Sequence, residues 1–267
     1  MATRPAPTGR HRRPCCWLVR TGSGSMPSGT DAPLRPVKRH AGIDAMTAEL
    51  AGRMAAVLEA AIRARGSALL AVSGGSTPAP LYRALSQLDI DWARVTVLLV
   101  DERWVEPDEA GSNEGFVRET LLTGKAADAR FIGLKTPDLS PFDAAAGLAM
   151  RVRDAGRIDL AVLGMGSDGH TASWFPHARG LEAALSAEGP PVAAIEARPS
   201  AVTGDHLLRM TLTRAALKQA RHLLLMIRGE DKLAALEAAR APGPVEDMPV
   251  RALLRDAALP LAIHWTG

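Results

Sequence analysis

The chain has 267 residues, nearly half of them apolar, and a formal net charge of +3 at neutral pH. That length suits one large α/β domain or two small ones, and no apolar run approaches the roughly 20 residues that a membrane-spanning helix needs. The charge is unevenly spread: residues 1–40 carry eight Lys or Arg and one acid, Asp31, so the arm is +7 and residues 41–267 are −4. The basic character belongs to the arm and says little about what the body binds.

The arm is rich in Pro, Arg, Gly and Ser and is expected to be a disordered tail or upstream sequence, with Met26 as a candidate start. Its Cys15-Cys16-Trp17-Leu18-Val19 stretch is too short and too arginine-flanked for a secretory apolar region. Both cysteines lie there. The body, lacking thiols, has neither a disulfide scaffold nor a thiolate metal site, and fits a reducing cytoplasm.

From Ile43 the texture changes. Apolar residues at Met46, Leu50, Met54, Val57, Leu58 and Ile62 predict a helix over 45–65, stopped by Gly66. A buried strand over 68–72 opens into Ser73-Gly74-Gly75-Ser76-Thr77, and Pro78 or Pro80 suits the first turn of the next helix. A second strand, 95–100, ends in Asp101-Glu102-Arg103. Asn113 is expected to cap a helix through Leu122. Phe131-Ile132, a helix over 142–154 and a strand over 158–163 follow, the last ending in Gly164-Met165-Gly166-Ser167-Asp168-Gly169-His170. Strands over 192–195, 208–212, 223–227 and 261–264 alternate with helices over 213–220 and 231–240. Continuous apolar strands alternating with helices predict a single Rossmann-like α/β domain, 41–267, with a mainly parallel sheet covered by helices on both faces.

In such a fold ligands bind beyond the carboxyl ends of the strands. Three polar clusters, 73–77, 101–103 and 164–170, each follow an apolar strand and so gather on one rim. Ser73, Gly74, Gly75, Ser76 and Thr77 combine a compliant backbone, hydroxyl donors and a helix N-terminus, which suits a phosphate without a bound metal. An ordinary strand-to-helix turn would need only the glycines. Arg103 can fork a carboxylate or phosphate, and Asp101 can orient a hydroxyl or a water. The triplet taken alone fits a solvated turn equally well. Of the body's histidines only His170 sits in a glycine-rich loop after a buried strand, as a general base should, with Asp168 two residues away to fix its tautomer. Arg209 and Lys232 are further cations, each a substrate contact or a surface charge. No His-x-x-x-His or comparable pairing points to a metal.

Together these clusters resemble the 6-phosphogluconolactonase family in content and order. The resemblance runs through Ser73 to Pro78, Asp101-Glu102-Arg103, Ser112-Asn113, Gly164 to Pro176, Arg209 to Thr213, and Gly229 with Lys232. It implies a fold shared with glucosamine-6-phosphate deaminases, no metal or cofactor, and a step of the oxidative pentose phosphate pathway. By analogy His170 is the base and Asp168 its helper, Ser73–Thr77 belong to the sugar-phosphate site, and Arg103, Arg209 and Lys232 bind the substrate. The implied partner is a small phosphosugar lactone rather than nucleic acid or membrane, for a cytoplasmic monomer or small homo-oligomer. Ser167 stands where an acid is common and Trp174 where leucine is common. The deaminases carry Asn-Glu-Pro after the Asp-Gly-His core, and Ser173-Trp174-Phe175-Pro176 occupies that region here. A non-catalytic sugar-phosphate sensor would need a DNA-binding module, which the arm does not supply.

Overall fold

A computed structural model describes Met1 and residues 35–267. The expectations for Cys15, Cys16, Met26 and most of the arm therefore lie outside the described residues. In chain order the elements are β1 (Val37–His40), α1 (Ile43–Arg65), β2 (Ala68–Val72), α2 (Ala79–Leu85), β3 (Val95–Leu99), β4 (Asp101–Arg103) and α3 (Asn113–Thr120). Then come β5 (Arg130–Ile132), α4 (Pro141–Asp154), β6 (Leu160–Leu163), α5 (Leu181–Leu185), β7 (Val192–Glu196) and β8 (Leu208–Leu212). The chain closes with α6 (Arg214–Lys218), β9 (Leu223–Arg228), α7 (Glu230–Arg240), α8 (Arg251–Leu254) and β10 (Leu261–Thr266).

Seven strands form a parallel sheet in the order β1-β10-β9-β6-β2-β3-β5. Buried on both faces, β2, β6 and most of β3 and β9 are the continuous apolar runs that a helix-covered parallel sheet requires. Helix α1 packs on β2, β6 and β10, and α7 on β9. From β2 the chain moves to β3 and β5 on one side, then returns to β6 on the other. The order thus reverses between β2 and β6, which places a ligand crevice beyond their carboxyl ends.

One expectation is corrected. Val37–His40, assigned by sequence to the arm, form edge strand β1 in parallel register with Ile263–Thr266 of β10. Arg35 also reaches the body, donating to the carbonyls of Leu261 and Asp256. Four residues with three charges or imidazoles read as tail, yet a parallel partner supplies the backbone hydrogen bonds that stabilise an edge strand. Beside the mainly parallel sheet that the sequence predicts stands a smaller one. Asp101–Arg103 is itself a strand, and β4-β8-β7 form a separate antiparallel sheet covered by α4. Val100 joins the two sheets: its N–H donates to Val72 O at 2.8 Å and its carbonyl accepts from Leu212 N at 2.7 Å.

Candidate active site

The β2–α2 loop forms one wall of a cavity of about 310 Å³ at the reversal point. Gly75 adopts φ +105°, and a Cβ on Gly74 would lie 1.9 Å from Asn113 Oδ1, so the loop's path demands both glycines. Among the described residues the N–H groups of Gly74, Gly75, Ser76 and Thr77 have no hydrogen-bond partner. The buried Ser73 Oγ is also unpartnered. Unpaired donors beside a helix start make a cradle for an anion. From behind, the Tyr82 hydroxyl donates to Ser73 O at 2.9 Å, and burial raises its phenol so that it stays protonated.

The antiparallel sheet supplies the second wall. Glu102 is fully buried beneath the start of α3. Its carboxylate accepts from the N–H groups of Arg103, Asn113 and Glu114, each at 2.7 Å, and from Ser112 Oγ at 3.1 Å. Burial pushes this carboxyl above the usual range, against the opposing pull of the backbone donors. The α3 N-cap is Ser112, whose Oγ accepts from Gly115 N, rather than Asn113 as the sequence suggested. Asn113 instead turns its amide onto Asp101, donating to the main-chain oxygen at 2.8 Å and to Oδ1 at 3.3 Å. Asp101 Oδ2 accepts from Ser173 Oγ at 2.6 Å. Both Asp101 and Asn113 line the cavity.

Arg209 is corrected from a possible surface charge to a buried one, only 4% exposed. It lies on β8 opposite Arg103 of β4. Its Nε donates to His206 O at 2.6 Å and its Nη2 to Thr203 O at 2.9 Å. Burial, and then the charge of Arg103, lower it to about 10, so it stays cationic at neutral pH. Arg103 donates to Gly111 O, and its buried Nε has no partner.

The third wall is the loop after β6. Asp168 Oδ1 meets His170 Nδ1 at 2.6 Å and the His170 N–H at 3.1 Å. The turn closes through Gly166 N to His170 O at 2.9 Å and Gly169 N to Gly166 O at 3.1 Å. A Cβ on Gly166 would sit 2.1 Å from His170 Nδ1, and Gly169 combines φ +77° with a close approach to Met248. Burial works to raise the Asp168 carboxyl, but hydrogen bonding and charge from His170 outweigh it and leave it below its usual value. An ionised Asp168 requires the proton on Nδ1, which leaves the Nε2 lone pair free. Among the described residues Nε2 has no partner, and His170 lines the cavity.

The structure therefore brings nearly every expected residue to one cavity. Ser73, Gly74, Gly75, Ser76, Thr77, Asp101, Arg103, His170, Arg209 and Lys232 all line it, while Asp168 stands behind the imidazole. Asn113, Phe175 and Arg228 line it too and were not picked out as site residues. Arg228 ends β9, so the strand-end rule that selected the other clusters applied to it as well. Neither Arg228 nor Lys232 has an ion-pair partner among the described residues. Four cations thus face one carboxylate, Asp101, an imbalance suited to an anionic ligand.

The model of the family described as glucosamine-6-phosphate isomerases/6-phosphogluconolactonase matches residues 42–263. The chain belongs to this family. A 6-phosphogluconolactonase of Pseudomonas aeruginosa is 47% identical over 221 residues, covering 82% of this chain and 88% of that relative. One from Rhizobium meliloti is 45% identical over 223 residues, covering 83% and 94%. The crystal structure of a 6-phosphogluconolactonase from Shewanella baltica matches with a TM-score of 0.82 at 39% identity, covering 87% of this chain and 98% of that one. Family membership accounts for the shared parallel sheet, and the matched region takes in all three walls of the cavity.

Proposed function

We propose that the chain hydrolyses 6-phosphogluconolactone to 6-phosphogluconate, a step of the oxidative pentose phosphate pathway. The observation that carries this reading is the pairing, in one cavity, of a histidine with a free Nε2 and a cradle of unpaired backbone donors. The names of the relatives at 45–47% identity support the lactone as substrate.

The substrate phosphate sits in the Ser73–Thr77 cradle, with Lys232 and Arg228 balancing its charge, while Asp101, Arg103 and Arg209 meet the hydroxyls and the lactone end. His170 Nε2 takes a proton from water, and the oxygen of that water bonds to the lactone carbonyl carbon. The carbonyl electrons move to oxygen, giving a tetrahedral oxyanion stabilised by cavity donors. When the carbonyl re-forms, the ring C–O bond breaks and the departing ring oxygen takes the proton back from the imidazolium. Asp168 stabilises the imidazolium through Nδ1 without accepting its proton.

No second acid stands beside this imidazole in the segment that follows it. Trp174 is fully buried with its Nε1 on Leu212 O, and Phe175 packs against the ring. This favours water activation over a deamination that needs another carboxylate there.

The test is acid release from the lactone by the purified chain, measured against spontaneous opening. His170→Ala should lower kcat by roughly 10²–10⁴-fold with a modest change in KM. Turnover by the parent chain no faster than the spontaneous rate, or an unchanged kcat in the variant, sinks the assignment.

A further inference from the structure

Asp168 holds the His170 ring through one hydrogen bond at Nδ1, and so from one edge only. Rotation about Cβ–Cγ moves Nδ1 and Nε2 together, and the terminal torsion of histidine is broad, so within the latitude of that hydrogen bond Nε2 still sweeps a short arc. A second contact opposes that swing. The Phe175 ring lies 4.4 Å from the imidazole, centroid to centroid, with 40° between the planes. Phe175 is itself held. It is 4% exposed, follows the fully buried Trp174, donates its N–H to Ser173 O at 3.0 Å and accepts from Ala178 N at 3.2 Å. The Arg209 guanidinium lies over the same ring, 5.4 Å from its centroid.

We propose that Phe175 is a positioning residue for the proposed lactonase reaction, setting the plane of His170 so that Nε2 faces the attacking water. The inference rests on the proposed function. An aromatic ring suits this task because it presents a flat surface and offers the imidazole no competing hydrogen bond. General-base geometry tolerates only about 10–20° of misorientation, and a displacement of about 1 Å can cost a hundredfold in rate. Packing alone would ask only for an apolar side chain of similar size. The task proposed here asks for the ring.

That difference makes the inference testable. Phe175→Leu keeps an apolar side chain in the core and removes the flat face, whereas Phe175→Tyr keeps the face. Each purified variant is compared with the parent for lactone kcat, KM and melting temperature. The expected result for Phe175→Leu is a kcat lower by about ten- to a hundredfold, KM within about threefold of the parent, and a cooperative melt. Phe175→Tyr should stay within about threefold of the parent in kcat. A folded Phe175→Leu with parental kcat overturns the inference, as does a rise in KM alone or an equal loss in both variants. His170→Ala in the same assay separates the two claims. If it retains turnover, the lactonase reading with His170 as base fails; if it is inactive while Phe175→Leu is not, only the role of Phe175 falls.

Discussion

His170 and His264 each meet one partner through Nδ1, yet they end in opposite chemistry. His170 meets a carboxylate at 2.6 Å and leaves Nε2 bare in a cavity. His264 meets His40 Nε2 at 3.0 Å, is 1% exposed, and has its ring stacked on that of His40 at 5.2 Å with 24° between planes. Burial, then the charge of His40 and Arg53, lower His264 to about 4, against a weaker opposing pull from Glu49. One imidazole keeps an open nitrogen in a cavity, as the proposed general base requires. The other stays neutral between two strands. A histidine's chemistry here is set by what faces each nitrogen and by whether space is left at the second.

Ways to break that contrast can be ranked by expected effect, with the loss of activity in His170→Ala as the upper mark. Next is Asp168→Asn. An amide can donate to Nδ1, which shifts the proton to Nε2 and removes the lone pair that the proposed mechanism uses. The expected fall in kcat is roughly 10- to 10³-fold at nearly constant KM, read in the same lactone assay. A parental kcat would show that Asp168 does not hold the tautomer.

At the opposite edge, His264→Leu should leave kcat and KM as they are. It removes the hydrogen-bond partner of buried His40, and chemical denaturation should register a loss of about 1–3 kcal/mol. A change in kcat with unchanged stability would erase the distinction between the two pairs.

The smallest effect is a slope with pH. Folded His264 titrates near 4, while an unfolded histidine titrates near its ordinary 6.5. Between these values the unfolded chain binds the extra proton, so stability falls as pH drops through that window. His222, also lowered by burial, adds in the same direction. Asp168 works differently: its folded carboxyl lies below the usual value, so its contribution persists until pH falls below the ordinary carboxylate range. Melting temperature should therefore decline from pH 7 to 4.5, and His264→Leu should flatten that decline. An equal slope in parent and variant would remove His264 as its source.

The parallel sheet was legible because β2, β3, β6 and β9 are short unbroken apolar runs, and the rim followed from what each run opens into. The antiparallel sheet was harder to see. Its one signal was the alternation in Leu208-Arg209-Met210-Thr211-Leu212, which marks a strand with two unlike faces. Asp101–Arg103 carries three charges in three residues and reads as a turn. It becomes a strand only because β8, far along the chain, pairs with it. Asn113 was hidden for another reason: its sequence neighbours suggest a cap, while its amide serves Asp101. His170 and Asp168 were found because their contact is local, two residues apart. Phe175 was missed because its value lies in a ring-to-ring contact that no spacing announces.

The bridge at Val100 makes the cavity depend on both sheets at once. The Ser73–Thr77 loop and His170 hang from the parallel sheet, whereas Asp101, Arg103 and Arg209 hang from the antiparallel one, and Val100 hydrogen-bonds to both. Both sheets depend on pairings between distant segments, Leu70 with Leu160 in one and Arg103 with Arg209 in the other, so each closes a large loop. A chain with only its parallel sheet assembled has half a cavity and no opposing wall. A change that loosens Val100 would therefore separate two walls of the cavity without touching a residue that lines it.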